Sequence, residues 1–236
     1  MTLDLCIVEQ NADAPGGLLE EWARERGHRV TTLRAPEIGS GPWPDPRRYG
    51  AIAPLGAEES VHASKDPWIA PQVAFLREAH EAGIPVLGLC FGGQALAAAL
   101  GGEVRAAPAP EIGWLELEAL DGGAVAPGPW FAWHNDTFTL PPGAVELART
   151  PACPHAFRAG RSIGLQFHPE ATPAIIEDWV RGGRDALAAN GIDAEALRAQ
   201  TREGAGDHRE RAFALFDAIA ADWEPVRPNV QSGGDG

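Results

Sequence analysis

The chain has 236 residues, 44% of them hydrophobic, enough for one sizeable core or two small ones. Its formal net charge of −14, from 33 acidic against 19 basic residues, repels polyanions and speaks against nucleic-acid binding. Three cysteines without a C-x-x-C spacing argue against a disulfide framework or a structural zinc site and suit a reducing cytosol.

From the N-terminus, LDLCIVE (residues 3–9) reads as a buried strand, with no basic segment ahead of it to mark a signal peptide. Leu18, Leu19 and Trp22 stand at helical spacing in Gly17–Arg26, and Gly27 is placed to end that helix. Residues 29–33 read as a second strand and the Pro/Gly-rich residues 35–48 as loop. A third strand is expected over 49–55, a helix over 68–82, a strand over 85–89 and a helix over 94–100. Strand and helix thus alternate over the first hundred residues, the pattern of a parallel sheet with helices on both faces. From Gly113 to Phe167 short strands follow one another, separated by turns such as Asp121-Gly122-Gly123 and Ala159-Gly160. Helices are expected again over 173–189, 194–203 and 207–223, before a Pro/Gly/Ser tail. No apolar run is long enough to span a membrane.

Binding sites of parallel sheets lie beyond the carboxyl ends of the strands, and Cys90 falls at such an end, in Gly88-Leu89-Cys90-Phe91-Gly92. This G-x-C-x-G element has the form of a nucleophile elbow with sulfur in place of a serine oxygen. The flanking glycines remove Cβ atoms from a tight turn. The following helix aims its N-terminus at the sulfur and favours thiolate. The N–H of Phe91 is then placed to hold an oxyanion. Taken alone, the element fits either a catalytic cysteine or a structural glycine turn.

A thiolate nucleophile needs a base, and the base needs an orienting group. His168 ends an apolar strand in Gly164-Leu165-Gln166-Phe167-His168-Pro169-Glu170. Residues i and i+2 of an extended chain project to the same side, so Glu170 can hold one imidazole nitrogen and leave the other for the thiol. As an isolated tripeptide, H-P-E reads equally as a strand-end histidine beside an incidental acid. Zinc at His168 lacks further ligands at sensible spacing, and His134-Asn135-Asp136 reads as a turn lining a pocket, so no metal is expected. Trp114 and Trp130 read as packing, and Cys6 and Cys153 as structural or incidental.

Together, PVLGLCFGGQALAAALGG (85–102) and GLQFHPEAT (164–172) resemble the class I, triad-type glutamine amidotransferases, as do the segments EIGWLELEA, WHNDTFTLPPGAVELA and HAFRAG. The resemblance covers roughly residues 49–180. It implies an α/β fold of flavodoxin-like type, with a mostly parallel central sheet flanked by helices and an added antiparallel region of short strands. An amidotransferase-like domain is expected over residues 1–190, a helical extension packed on it over 191–224, and a disordered tail over 225–236.

The resemblance also implies a Cys90–His168–Glu170 triad that hydrolyses the glutamine side-chain amide through a γ-glutamyl thioester. Phe91, Gly56 and Ala57 would form the oxyanion hole, and Gln94, Trp133 and His134 would line the substrate pocket. No cofactor is implied. With no phosphate-cradling loop in the chain, any ammonia-acceptor chemistry would be on another polypeptide, such as a separate synthase subunit, or absent. The partners expected are glutamine or a γ-glutamyl compound, with no nucleic acid and no membrane; a homodimer is left open, and the location expected is cytoplasmic. The loop Leu55-Gly56-Ala57-Glu58 departs from the family's Gly-Gly-Pro pattern, and alanine would be strained there if the backbone needs a positive φ. Two other readings therefore stand beside the first: a γ-glutamyl peptidase or γ-glutamyl-amine hydrolase, and a catalytically silent binding or regulatory subunit.

Overall fold

A computed structural model describes residues 2–120 and 125–223. The Asp121-Gly122-Gly123 turn and the tail expected over 225–236 lie outside the described residues.

Strands β1 (Asp4–Glu9), β2 (Arg29–Arg34), β3 (Ala51–Pro54), β4 (Leu87–Leu89) and β10 (Ser162–Leu165) run parallel. The first three stand in the order β2-β1-β3, and β3 meets the next strand through an Ile52–Val86 bridge. The sheet continues β4-β10-β9-β8-β6 through the antiparallel strands β9 (Pro154–Ala159), β8 (Val145–Arg149) and β6 (Glu118–Ala119). An antiparallel ribbon of β5 (Val104–Glu116) and β7 (Pro129–Phe138) forms separately. The architecture is the α/β fold with an added antiparallel region that the sequence leads one to expect.

The alternation along β1 decides which helices cover which face. Leu5 and Ile7 pack with Leu19 and Trp22 of α1 (Gly17–Glu25) and with Phe216 and Ile219 of α7 (Ala194–Ala221). Cys6 and Val8 point the other way, into Phe75 and Leu76 of α3 (Ile69–Glu81) and Leu96 of α4 (Phe91–Ala99). The Trp22 indole donates to Asp217 at 2.8 Å, fastening α1 to α7.

Three elements differ from the sequence expectation. Residues 35–48 are not all loop: they hold a turn of helix, α2 (Ala35–Ile38), and a 3₁₀ turn at Pro46–Arg48 whose first residues are capped by the Asp45 side chain. The helix expected over 173–189 breaks into α5 (Pro173–Gly182) and α6 (Arg184–Ala189) at Gly183, whose φ of −91° and ψ of 22° are not helical and where a Cβ would collide with the Trp133 indole. The two helices expected at the C-terminal end are one. α7 runs through Gly204 and Gly206, each of which disfavours a helix by about 1 kcal/mol. Buried Leu197 and Thr201 before the glycines, and Ala212, Phe213 and Phe216 after them, outweigh that local cost.

His208 of α7 is buried, its ring edge-on to Trp114 at 4.9 Å. Burial, aided by nearby Arg211, pushes its pKa down to about 4 from 6.5. The unfolded chain therefore takes up this proton first as the pH falls. The stability at stake is present above pH 6.5 and is lost as the pH falls toward 4. We expect wild type to lose about 3 kcal/mol relative to His208→Leu across that window. Urea denaturation midpoints at neutral pH and near pH 4 check this; parallel curves would refute it.

Candidate active site

The strand β4 ends at Leu89, and the chain turns into α4 with Cys90 as its N-cap. α4 starts at Phe91, three residues before the expected Gln94, so the helix begins directly at the sulfur. Cys90 has φ 51° and ψ −109°, and among the described residues no other non-glycine has a positive φ. The neighbouring backbone holds that conformation in place. Cys90 N–H donates to Leu165 O at 2.8 Å and Gly92 N–H to Leu55 O at 2.9 Å. A Cβ at Gly92 would collide with the Pro54 carbonyl, and one at Gly88 with the Gly92 carbonyl. The glycines thus let the elbow press onto β3 and fold back on itself.

His168 and Glu170 follow β10, the strand next to β4. His168 Nδ1 lies 2.7 Å from Glu170 Oε1, and both side chains are buried. Burial alone would drive the imidazolium toward neutrality. The Glu170 carboxylate and the Cys90 sulfur overcome it and push His168 up to about 10 from 6.5. The Trp179 ring of α5 closes over the imidazole, centroid to centroid 4.7 Å. Glu170 is fixed through its backbone, whose carbonyl accepts from Leu18 N–H at 2.8 Å. Gly17, at φ 47°, permits that approach, since a Cβ there would collide with the same carbonyl.

Of the nine residues singled out from sequence, all but Glu170 line one cavity of about 420 Å³. Glu170 stands behind His168. Among the described residues, no hydrogen bond within the protein takes the N–H of Gly56, Ala57 or Phe91. Ala57 has no positive φ, so the strain feared for alanine in that loop does not arise. A Cβ at Gly56 would come 3.0 Å from His168 Cε1 and 3.7 Å from Cys90 Cβ. Gly56→Ala is therefore expected to push the imidazole aside by a few tenths of an ångström. Turnover should fall about 10- to 100-fold, with the thermal midpoint nearly unchanged. Turnover and melting measured side by side check this, and full activity in the variant would refute it.

Gln94 Nε2 is committed to Asp136 O at 3.0 Å and Gln166 Oε1 at 3.2 Å, leaving its carbonyl oxygen to offer a ligand. Trp133 presents its backbone: its carbonyl is 3.8 Å from Cys90 Sγ. His134 does not offer its ring nitrogens to the cavity, because Nδ1 meets Asp136 O at 2.9 Å and Nε2 faces Glu111. Sequence reasoning missed Gly17 and Trp179, whose only signals were an unexplained Gly-Gly pair and a tryptophan on a half-exposed helix. It also missed the gathering of Glu111, His134, Cys153 and His155, with Cys153 and His155 at 42 and 44 residues from Glu111. No local spacing reveals that group.

Among the described residues, no helix is long and apolar enough to cross a membrane.

The sequence profile of the family "Glutamine amidotransferase class-I" matches residues 61–177. The GMP synthase [glutamine-hydrolyzing] of Aeropyrum pernix is 38% identical over 198 residues, 73% of this chain and 37% of that protein. The GMP synthase [glutamine-hydrolyzing] of Mycolicibacterium paratuberculosis is 36% identical over 177 residues, 67% of this chain and 33% of that protein. The chain thus spans well under half the length of these relatives. The crystal structure of a glutamine amidotransferase from Methylobacillus flagellatus superposes with a TM-score of 0.86 at 24% identity, covering 97% of this chain and 98% of that one. One from Thermotoga maritima gives 0.84 at 24% identity, covering 93% and 98%. At this identity the two structures establish a shared fold. The elbow cysteine and the H-P-E histidine both fall inside the matched residues, on strands that this fold sets side by side: the chain belongs to the class-I glutamine amidotransferase family.

Proposed function

We propose that the chain hydrolyses the γ-amide of glutamine through a thioester on Cys90, with His168 as its acid and base and Glu170 as the group that orients His168. The observation that carries this reading is the buried His168–Glu170 pair, 2.7 Å apart, set beside a cysteine held in a strained elbow at a helix N-terminus. Cys90 Sγ attacks the amide carbon, and the carbonyl electron pair moves onto oxygen. The N–H groups of Phe91 and of Gly56 or Ala57 receive that charge. Collapse of the adduct expels ammonia, which takes its proton from the His168 imidazolium. Water then attacks the thioester, His168 accepts its proton, and glutamate leaves with the sulfur restored. The Gln94 carbonyl and the backbone around Trp133 are placed to hold the amino-acid end of the substrate. The names of the curated relatives suggest that the ammonia feeds a synthase reaction. Such a reaction would need an active site outside these 236 residues, in a further domain or in a separate subunit.

One observation favours a second reading. The cavity wall carries Asp13, Glu58, Glu59, Asp136 and Asp178, and no Lys or Arg among the described residues. Such a wall repels the α-carboxylate of glutamine and attracts a positively charged leaving group. A γ-glutamyl amine with a second, cationic amine would suit it. Glutamate release from glutamine and from the γ-glutamyl amide of a diamine, each with Cys90→Ser as control, tests both. A higher kcat/KM for glutamine supports the first reading, and a preference for the cationic amide, weakening with salt, supports the second. No Cys90-dependent release from either refutes both.

A further inference from the structure

We propose that Glu111, His134, Cys153 and His155 form a zinc site that fastens the β5–β7 ribbon to the start of β9, behind the substrate cavity. Glu111 and His134 face each other as register partners on β5 and β7, and Cys153 and His155 lie at the entry to β9. One ligand atom from each lies within 4.8 Å of all the others. Glu111 Oε2 stands 3.1 Å from Cys153 Sγ, 2.9 Å from His155 Nε2 and 3.3 Å from His134 Nε2. A tetrahedral zinc with bonds of about 2.0–2.3 Å sets its ligand atoms about 3.3–3.8 Å apart, so the group needs only small adjustments to accept the ion. His155, His134 and Cys153 are 0%, 4% and 6% exposed, so these groups are not ordinary solvated surface polar residues.

The orientation of His134 is what points to a cation. Its Nδ1 is 2.9 Å from the Asp136 carbonyl oxygen, which can only accept, so the ring hydrogen sits on Nδ1. In the neutral ring Nε2 then offers a lone pair toward a carboxylate oxygen 3.3 Å away, and it has no hydrogen-bond partner. Two acceptors turned toward each other in a buried place call for a positive charge between them. A histidine that ligates a metal through one nitrogen while donating the other N–H to a backbone carbonyl has this same arrangement. The remaining donors choose the metal. One sulfur, two imidazoles and one carboxylate suit zinc, whereas magnesium and calcium take oxygen ligands.

Charge and protons balance. Zinc displaces the Cys153 thiol proton to solvent, and His155 carries its hydrogen on Nδ1. The thiolate and the Glu111 carboxylate together neutralise the two positive charges of the ion, leaving a neutral buried site. Cys153 is already placed by a tight turn. The Thr150 hydroxyl accepts from Ala152 N–H at 3.2 Å and from Cys153 N–H at 3.3 Å, and Thr150 N–H donates to Cys153 O at 3.0 Å. With four protein ligands the site has no open position for catalysis. Its effect is to hold β7, whose Trp133 carbonyl touches the nucleophile and whose residues 133–136 line the cavity.

The test uses the full chain carrying Cys90→Ser, so that the elbow sulfur cannot bind metal and activity is not the readout. Metal content is measured by mass spectrometry after purification and after reconstitution with zinc. Cobalt is then substituted for zinc, and thiolate-to-cobalt charge-transfer absorption is recorded. About one zinc per chain, a cobalt–thiolate band and a thermal midpoint raised by zinc are expected. All three should be lost in His155→Gln, which keeps an N–H for Glu111 and so preserves the fold, and the cobalt band should also be lost in Cys153→Ser. Absence of stoichiometric zinc after reconstitution overturns the proposal. A cobalt–thiolate band that survives Cys153→Ser overturns it as well, since the ion would then sit on Cys6.

Discussion

Replacing Cys90 with alanine is expected to lower glutamate release by at least about 10³-fold, because the variant keeps the pocket and loses the sulfur proposed to form the thioester. The same position makes a second, opposite prediction about stability. Cys90 holds φ 51° and ψ −109°, a conformation that costs a residue with a Cβ about 1–3 kcal/mol. Alanine keeps that strain, and glycine does not. Glycine in turn loses more chain entropy on folding, by roughly 0.5–1 kcal/mol. Cys90→Gly should therefore be as inactive as Cys90→Ala, yet more stable than it by about 1 kcal/mol, or about 2–4 °C in thermal midpoint for a chain of this size. Activity assays and melting curves on the two variants check this pair of results. Equal midpoints would mean that the elbow stores no strain, and Cys90-independent turnover would remove the thioester altogether.

The strained elbow was readable in the sequence because it is local: a strand, two flanking glycines, a cysteine and a helix lie within a few residues. So was the His168–Glu170 pair, since the extended backbone sets residues i and i+2 on one side. The faces of the sheet followed from the alternation Leu5, Cys6, Ile7, Val8, which the two helix layers then read out. What escaped depends on residues far apart in the chain. Gly17 serves Glu170 across 153 positions (170 − 17), and nothing beside Gly17 says so. Gly204 and Gly206 carry a breaker signal, but burial on both sides of them carries α7 through. Ala57 shows the reverse error. A difference from a family pattern suggests a penalty, yet the loop holds Ala57 without a positive φ, and the penalty never falls due. Local chemistry announces itself in sequence. Tertiary burial and close backbone approach do not.

Glu170→Gln is expected to leave the fold intact and still reduce turnover by about 10²- to 10⁴-fold. The reduction expected is of the size seen when a triad carboxylate becomes an amide. Glu170 does not line the cavity; its Oε1 lies 2.7 Å from His168 Nδ1, and its own backbone is pinned by Leu18 N–H. An amide of the same shape fills the space but removes the negative charge that, with the Cys90 sulfur, opposes burial and raises His168 to about 10. In the variant burial gains on the remaining charge, so the His168 pKa moves down. Two readouts follow. The alkaline limb of the kcat/KM profile shifts to lower pH, because the imidazolium needed to protonate ammonia is lost earlier. Stability shifts as well: in wild type the contribution of the raised pKa is full below pH 6.5 and is lost as the pH rises through about 10, so the melting midpoint should decline over that range. In Glu170→Gln that decline should be smaller. A purely structural carboxylate would lower the midpoint at every pH and leave the alkaline limb in place, and that result would separate Glu170 from the chemistry of Cys90 and His168.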